Sequence, residues 1–203
     1  MRSLVVNSTL RLIKKYYPDY DSATLNKIKY GLESIYIFIT KTILIFFLAY
    51  LLDIFIELLI FMALYNIIRM PSFGIHATKG WICLVSSSLI FLLSTFLCQI
   101  IYLPIIVKSI IGIICTLLIF KNAPADTYKR PIISKKRRIF FKIISTIIAT
   151  TFVIISLLIT NNFISNALIF SLIIQTFMTS PLIYRLFKLP YNNYLRYTIK
   201  ANK

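Results

Sequence analysis

Six long apolar runs with short polar breaks between them most strongly constrain what this 203-residue chain can fold into. A helix satisfies its own backbone polar groups in lipid, so each run is predicted to be a membrane-spanning helix. The mean hydropathy of +0.83 agrees, because soluble domains are far less apolar. We predict an all-α, polytopic integral membrane protein of about six transmembrane helices, at residues 35–52, 54–68, 82–103, 105–120, 139–160 and 163–184.

Two features of the sequence depart from a regular pattern of six apolar spans. The run at 54–68 would reach only about 22 Å as a helix, short of the ~30 Å hydrocarbon core. It is therefore expected to borrow residues from its neighbours or to be half-inserted. Lys41 and Lys108 fall inside apolar runs. Both are expected to snorkel to an interface, with a proton or ion path as the alternative.

The positive charges predict the orientation. Of the 23 Lys and Arg residues, 21 lie in four segments, at residues 1–34, 69–81, 121–142 and 185–203. Basic loops face the cytoplasm, so both termini are predicted to be cytoplasmic. The net charge of +17 then indicates contact with anionic lipid and not with nucleic acid. One helical membrane domain, 1–203, is the expected organisation, with a basic N-terminal segment at 1–34 and a basic C-terminal tail at 185–203.

The stretch FGIHATKGWIC contains the single histidine, His76, seven residues before Cys83. In one straight helix their Cα atoms would lie about 10.5 Å apart, too far for a hydrogen bond. We therefore predict a break near Gly80 within a catalytic segment at 69–88, with Cys83 in the first turn of the next helix. That position and an imidazole both favour a thiolate, the nucleophile of a cysteine protease. The alternative is an inert cysteine and a polar interfacial histidine.

A second predicted cytoplasmic loop, at residues 121–138, contains Asp126 between two prolines. Asp126 either fixes this loop, by capping it or pairing with Lys129 or Arg130, or orients the imidazole of His76 as the third member of a triad. Cys98 and Cys115 lie deep in the spans and are expected to be structural. Three cysteines and one histidine fit neither a disulfide framework nor a zinc site, so no metal is predicted.

These residues together resemble the accessory gene regulator B family of bacterial membrane endopeptidases. The similarity covers Arg69, Gly74, His76-Ala77, Cys83 and the serines 86–88, and it extends to Ala123–Thr127 with Pro131 in the second loop. The family often has Gly-Gly before the histidine, and here Phe73 replaces the first glycine.

The resemblance implies an activity. Family members cleave the acidic tail from a quorum-sensing peptide precursor, hold the remainder as a thioester on the cysteine, and release a thiolactone or lactone ring. Cys83 would be the nucleophile and His76 the general base and then acid, with no metal or other cofactor. The expected partners are the precursor peptide, the lipid bilayer of the bacterial cell membrane and a second copy of the chain in a homodimer.

Charge suggests how the substrate would be held. The acidic tail is expected to meet a cytoplasmic basic cluster, with Arg69 as a further substrate-binding candidate. The cluster consists of Lys135, Lys136, Arg137 and Arg138. The alternative function is a small multi-span transporter or exporter, which would tolerate Cys83→Ser far better than a thiol protease would.

Overall fold

The computed structural model describes residues 2–75, 80–128, 131–195 and 197. Within them the chain forms eight helices, of which α2 to α7 are long and apolar enough to cross a membrane. The all-α, six-span prediction is confirmed. The helices are α1 (Arg2–Tyr16), α2 (Ser22–Leu51), α3 (Phe55–Ser72), α4 (Gly80–Ile100), α5 (Ile105–Asn122), α6 (Lys135–Leu158), α7 (Asn162–Thr179) and α8 (Pro181–Leu186).

The helix ends differ from the apolar runs for local reasons. The first spanning helix, α2, begins well before its run because the Asp21 carboxylate caps it, accepting the Thr24 N–H at 3.0 Å. The second, α3, extends through Pro71 to reach 18 residues, about 27 Å, so it does borrow residues. The last, α7, stops at Thr179, five residues before its run ends, and Pro181 starts α8 in the next turn.

The N-terminal helix α1 packs beside α2 and buries only Val6 among its residues. Leu4, Val5 and Leu12 are exposed, and the described part of α1 contains no acidic residue. Arg2 reaches Glu33 of α2 at 4.0 Å. A basic helix with exposed apolar side chains suits the headgroup region of a membrane.

The centre of the bundle is α7, which packs on α3, α4, α5 and α6. Its consecutive residues Ala167 and Leu168 belong to two different buried clusters, so α7 separates the halves of the core. One cluster includes Phe61 and Phe91, whose rings meet edge to face at 6.3 Å. The other includes Phe152. The helix that touches most neighbours can therefore fix the relative positions of loops at both ends.

At the end of the bundle where α5 and α7 begin, Lys108 points inward. It is only 5 % exposed, and its Nζ donates a 2.7 Å hydrogen bond to Ser165 Oγ. Ser165 in turn donates to the Ser156 carbonyl at 2.6 Å. The expectation that Lys108 snorkels is wrong, because α7 supplies an acceptor inside the bundle.

Candidate active site

Helices α3 and α4 are separate, since α3 ends at Ser72 and residues 73–75 are not helical. The described part of α4 begins at Gly80 and has Cys83 as its fourth residue, and the break predicted near Gly80 adjoins residues 76–79, which lie outside the described ones. The Cys83 side chain is half-buried, and its carbonyl accepts the Ser87 hydroxyl at 2.5 Å. His76 lies outside the described residues, as do Lys129 and Arg130. The His76–Cys83 pairing therefore stays a prediction.

The residues leading towards His76 form a turn segment, 73–75, with a strained backbone. Phe73 has φ 55° and Gly74 has φ 119°. A Cβ atom on Gly74 would lie 2.6 Å from the carbonyl oxygen of Met178, so only glycine fits there. Phe73 adopts a positive φ at the position where the resembled family often has glycine, and its ring packs edge to face on Phe141 at 5.1 Å.

Side chains from α3 and α7 hold this turn segment. The Arg69 guanidinium donates to the carbonyls of Phe73 at 2.6 Å and Ile75 at 2.7 Å. The Gln175 amide donates to the same Phe73 carbonyl at 2.7 Å. The Ile75 N–H donates to the Met178 carbonyl at 3.1 Å. Arg69, expected from sequence to bind substrate, thus directs its guanidinium at its own chain.

The second predicted loop lies directly against the turn segment. Ala125 donates its N–H to the Ser72 carbonyl at 3.0 Å and accepts the Gly74 N–H at 2.9 Å. These two bonds form a short parallel bridge between Phe73 and Ala125. The structure therefore brings together the two stretches that the sequence singled out separately.

Asp126 is buried, at 4 % exposure, and among the described residues its carboxylate accepts backbone N–H groups. One oxygen accepts the Asn193 N–H at 2.9 Å, and the other accepts the Tyr194 N–H at 2.9 Å and the Ile132 N–H at 3.4 Å. Asp126 was expected either to fix its loop or to orient the imidazole of His76. These contacts are those that fixing the loop requires. No group of three His, Cys, Asp or Glu side chains in the described ranges could hold a metal ion.

Tyr184 of α8 holds the same loop from another side. Its hydroxyl donates to the carbonyls of Asp126 at 3.0 Å and Ala125 at 3.3 Å. Burial raises the pKa of Tyr184, and the neighbouring Asp126 carboxylate adds to the rise against the opposing effect of Arg69. The phenol therefore stays a hydrogen-bond donor across the physiological range.

Sequence reasoning missed several residues of this site. Gln175 left a weak signal, since an amide in an apolar run needs a partner. Asn193 and Tyr194 left none, because they act through backbone N–H groups that every non-proline residue has.

The predicted basic cluster forms the first turn of α6. Lys135, Lys136 and Arg137 are exposed, whereas Arg138 lies with its guanidinium carbon 3.5 Å from the centre of the Tyr194 ring. The helix dipole disfavours cations here, and the N-cap residue Ser134 makes no side-chain capping bond. Exposed cations and uncapped N–H groups together make this turn attractive to an acidic chain.

An apolar groove begins one residue after Cys83, between α2 and α4. It has a volume of about 370 Å³, and leucines form most of its wall. The buried Ser88 hydroxyl also lines it and has no hydrogen-bond partner among the described residues. The lining residues are Leu44, Leu48, Leu84, Val85, Ser88, Leu89, Leu92 and Leu93.

Known proteins are similar to this chain over most of its length. The family model described as Accessory gene regulator B matches residues 6–179. An AgrB-like protein of Listeria monocytogenes is 35% identical, covering 84% of this chain and 84% of its own. An AgrB-like protein of Clostridium acetobutylicum is 29% identical over 88% and 86%, respectively. Accessory gene regulator protein B of Staphylococcus epidermidis is 29% identical over 78% and 80%. No solved structure matches.

Proposed function

Because this chain belongs to the accessory gene regulator B family, we propose that it is a membrane cysteine endopeptidase that processes a quorum-sensing peptide precursor. The observation that carries this proposal is the break between α3 and α4. Cys83 is the fourth described residue of α4, shortly after this break. The proposed pairing requires this break to continue beyond Ile75, so that His76 and Cys83 do not lie in one straight helix.

The proposed reaction has two steps. His76 takes the thiol proton, and the Cys83 sulfur attacks the carbonyl carbon of the scissile peptide bond. His76 then gives that proton to the leaving amine, so the acidic tail departs and the rest of the peptide stays on Cys83 as a thioester. A thiol or hydroxyl inside the peptide attacks the thioester carbonyl, its proton passes to Cys83, and the ring is released.

The remaining residues take supporting roles. Arg69 and Gln175 hold the turn segment that leads to His76, and Asp126 fixes the adjoining loop. The first turn of α6 attracts the acidic tail. The apolar groove between α2 and α4, whose lining begins at Leu84, takes the apolar residues that remain attached to the sulfur and keeps water from the thioester, so that the ring closes in preference to hydrolysis.

The proposed function includes a location in the cell and a set of partners. The site and both termini lie on the cytoplasmic side of a bacterial cell membrane, because the basic segments surround the site. A homodimer is expected from the family resemblance. The substrate is a precursor peptide with an amphipathic amino-terminal part in the same membrane interface.

Mass spectrometry of a candidate precursor, incubated with the purified protein in lipid vesicles, tests the proposal. Wild type should release the tail and carry a thioester adduct on Cys83. Cys83→Ala and His76→Ala should do neither. If both variants process the precursor as well as wild type does, the proposal that the protein is a cysteine endopeptidase is wrong.

The alternative, a small transporter or exporter, has one observation in its favour. Lys108 is a cation buried inside the bundle, and such residues often mark transport paths. Movement of a labelled peptide across sealed vesicles, lost in Lys108→Met but retained in Cys83→Ala, would support transport.

A further inference from the structure

The chain after α8 returns to the site through Asp126. Residues 190–195, here called the C-terminal clamp, present two consecutive backbone N–H groups, of Asn193 and Tyr194, to the two carboxylate oxygens. Asn193 also donates its side-chain amide to the Asp126 carbonyl at 3.4 Å and to the Pro190 carbonyl at 2.9 Å. A buried carboxylate with three backbone donors has one stable orientation, so clamp and loop are fixed as a unit.

Two aromatic contacts close the other sides of this unit. The Tyr184 ring meets the Tyr191 ring edge to face at 5.1 Å, and the Tyr184 hydroxyl bonds the loop carbonyls. The Arg138 guanidinium lies 3.5 Å over the Tyr194 ring, within the range of a cation–π contact. The clamp is thus tied to α8 and to α6 as well as to Asp126.

The loop passes this constraint to the turn segment. Ala125, next to Asp126, accepts the Gly74 N–H and donates to the Ser72 carbonyl. The Asn193 backbone is therefore hydrogen-bonded to Asp126, and Ala125, its covalent neighbour, is hydrogen-bonded to Gly74. Gly74 is two residues before His76 in the sequence.

We infer that the C-terminal clamp is a positioning element of the active site, which holds the stretch before His76 by way of Asp126 and Tyr184. This inference rests on the proposed function. The clamp lies beyond residues 6–179, the part that matches the family model, and Asp126 links it to the part that does match. Neither Asp126 nor Tyr184 needs to touch the substrate for this role.

Full-length variants test the inference. Asp126→Asn turns one acceptor oxygen into an NH₂ group that faces backbone N–H donors. Tyr184→Phe removes the hydroxyl bonds to the loop and keeps the ring. Tyr102→Phe is the control, because Tyr102 is exposed at the opposite end of the bundle, before α5.

Two measurements distinguish a loss of active-site positioning from a general loss of structure. In vesicles, both site variants should lower kcat for tail release by about 10-fold or more, with KM within about 3-fold of wild type. The rate of Cys83 alkylation by iodoacetamide against pH, resolved by mass spectrometry, should change in both towards that of His76→Ala. Tyr102→Phe should match wild type in both.

Folded variants with wild-type kcat and a wild-type alkylation profile would overturn the inference. If Asp126→Asn does not fold, Tyr184→Phe decides the question. A wild-type protein that processes no precursor would instead defeat the proposed function, and the alkylation profiles would still show whether the clamp controls the surroundings of Cys83.

Discussion

The side-chain amide of Gln175 donates a 2.7 Å hydrogen bond to the carbonyl oxygen of Phe73, across 102 residues of sequence. This bond joins the central helix α7 to the turn segment before His76. The same carbonyl accepts Arg69, so two donors from different helices meet on one oxygen. A carbonyl fixed in this way holds the segment's backbone in one conformation.

Gln175→Leu should slow tail release. Leucine has a similar volume but cannot donate the hydrogen bond to the Phe73 carbonyl, a loss of about 1 kcal/mol while Arg69 still binds the same oxygen. We expect a fall in kcat of about 10-fold with little change in KM, measured in vesicles. Gln99→Leu, on the exposed face of α4, is the control and should behave as wild type. Equal kinetics for both substitutions would show that the Phe73 carbonyl needs no second donor.

Gly74→Ala should abolish processing. Alanine disfavours a φ of 119°, and its Cβ would meet the Met178 carbonyl at 2.6 Å and Arg69 at 2.5 Å. The turn segment must then shift, and a displacement of about 1 Å near a reacting group can cost about 100-fold in rate. Gly31→Ala is the matched control, since nothing lies within 4 Å of its added Cβ. An active Gly74→Ala enzyme would mean that the turn is not part of the site.

The sequence was sufficient for the six spans, because the length of an apolar run and the rise of a helix together predict which segments can cross a membrane. It also identified Gly74 and Asp126. It did not predict the inward direction of Lys108, which depends on where α7 places Ser165. Nor could it predict that Asp126 binds the N–H groups of Asn193 and Tyr194, because backbone donors carry no sequence signature.

The four basic residues at the start of α6 should divide into two roles. Replacing Lys135, Lys136 and Arg137 by glutamine should raise KM for a precursor with an acidic tail and weaken its salt dependence, since exposed charges act through screened attraction. Arg138→Gln should lower kcat instead, because Arg138 stacks on Tyr194 of the clamp. Steady-state kinetics at low and high salt measure both.

A matched control for that triple replacement is available on α1. Neutralising Arg11, Lys14 and Lys15 removes the same charge elsewhere in the basic N-terminal segment. If this variant raises KM equally, the attraction comes from net charge and not from the first turn of α6.

Filling the groove between α2 and α4 should impair ring formation. Leu89→Trp adds bulk to a wall that begins at Leu84, the residue after Cys83 in the sequence, so the retained peptide would be displaced and water admitted to the thioester. We expect a lower kcat/KM and a larger fraction of hydrolysed, linear product by mass spectrometry. Leu117→Trp is the control, because Leu117 is equally exposed, at 62%, in an apolar groove between α5 and α6. An identical product ratio in the two variants would exclude the groove as the peptide site.

Lys108 and Ser165 should show strong coupling in a double-mutant cycle. Ser165→Ala leaves the buried ammonium without its 2.7 Å acceptor, a loss of about 2 kcal/mol for a hydrogen bond to a charged group. Lys108→Met should be neutral or stabilising, because it replaces a buried cation with an apolar side chain of similar length. In the double variant, Ser165→Ala should then cost only its hydrogen bond to the Ser156 carbonyl, about 1 kcal/mol, and denaturant unfolding in detergent measures all three. Lys108→Met should also keep full processing activity, since Lys108 lies at the opposite end of the bundle from the turn segment. Additive losses of stability would show that the hydrogen bond contributes nothing, and a loss of peptide transport alone would assign Lys108 to a transport path.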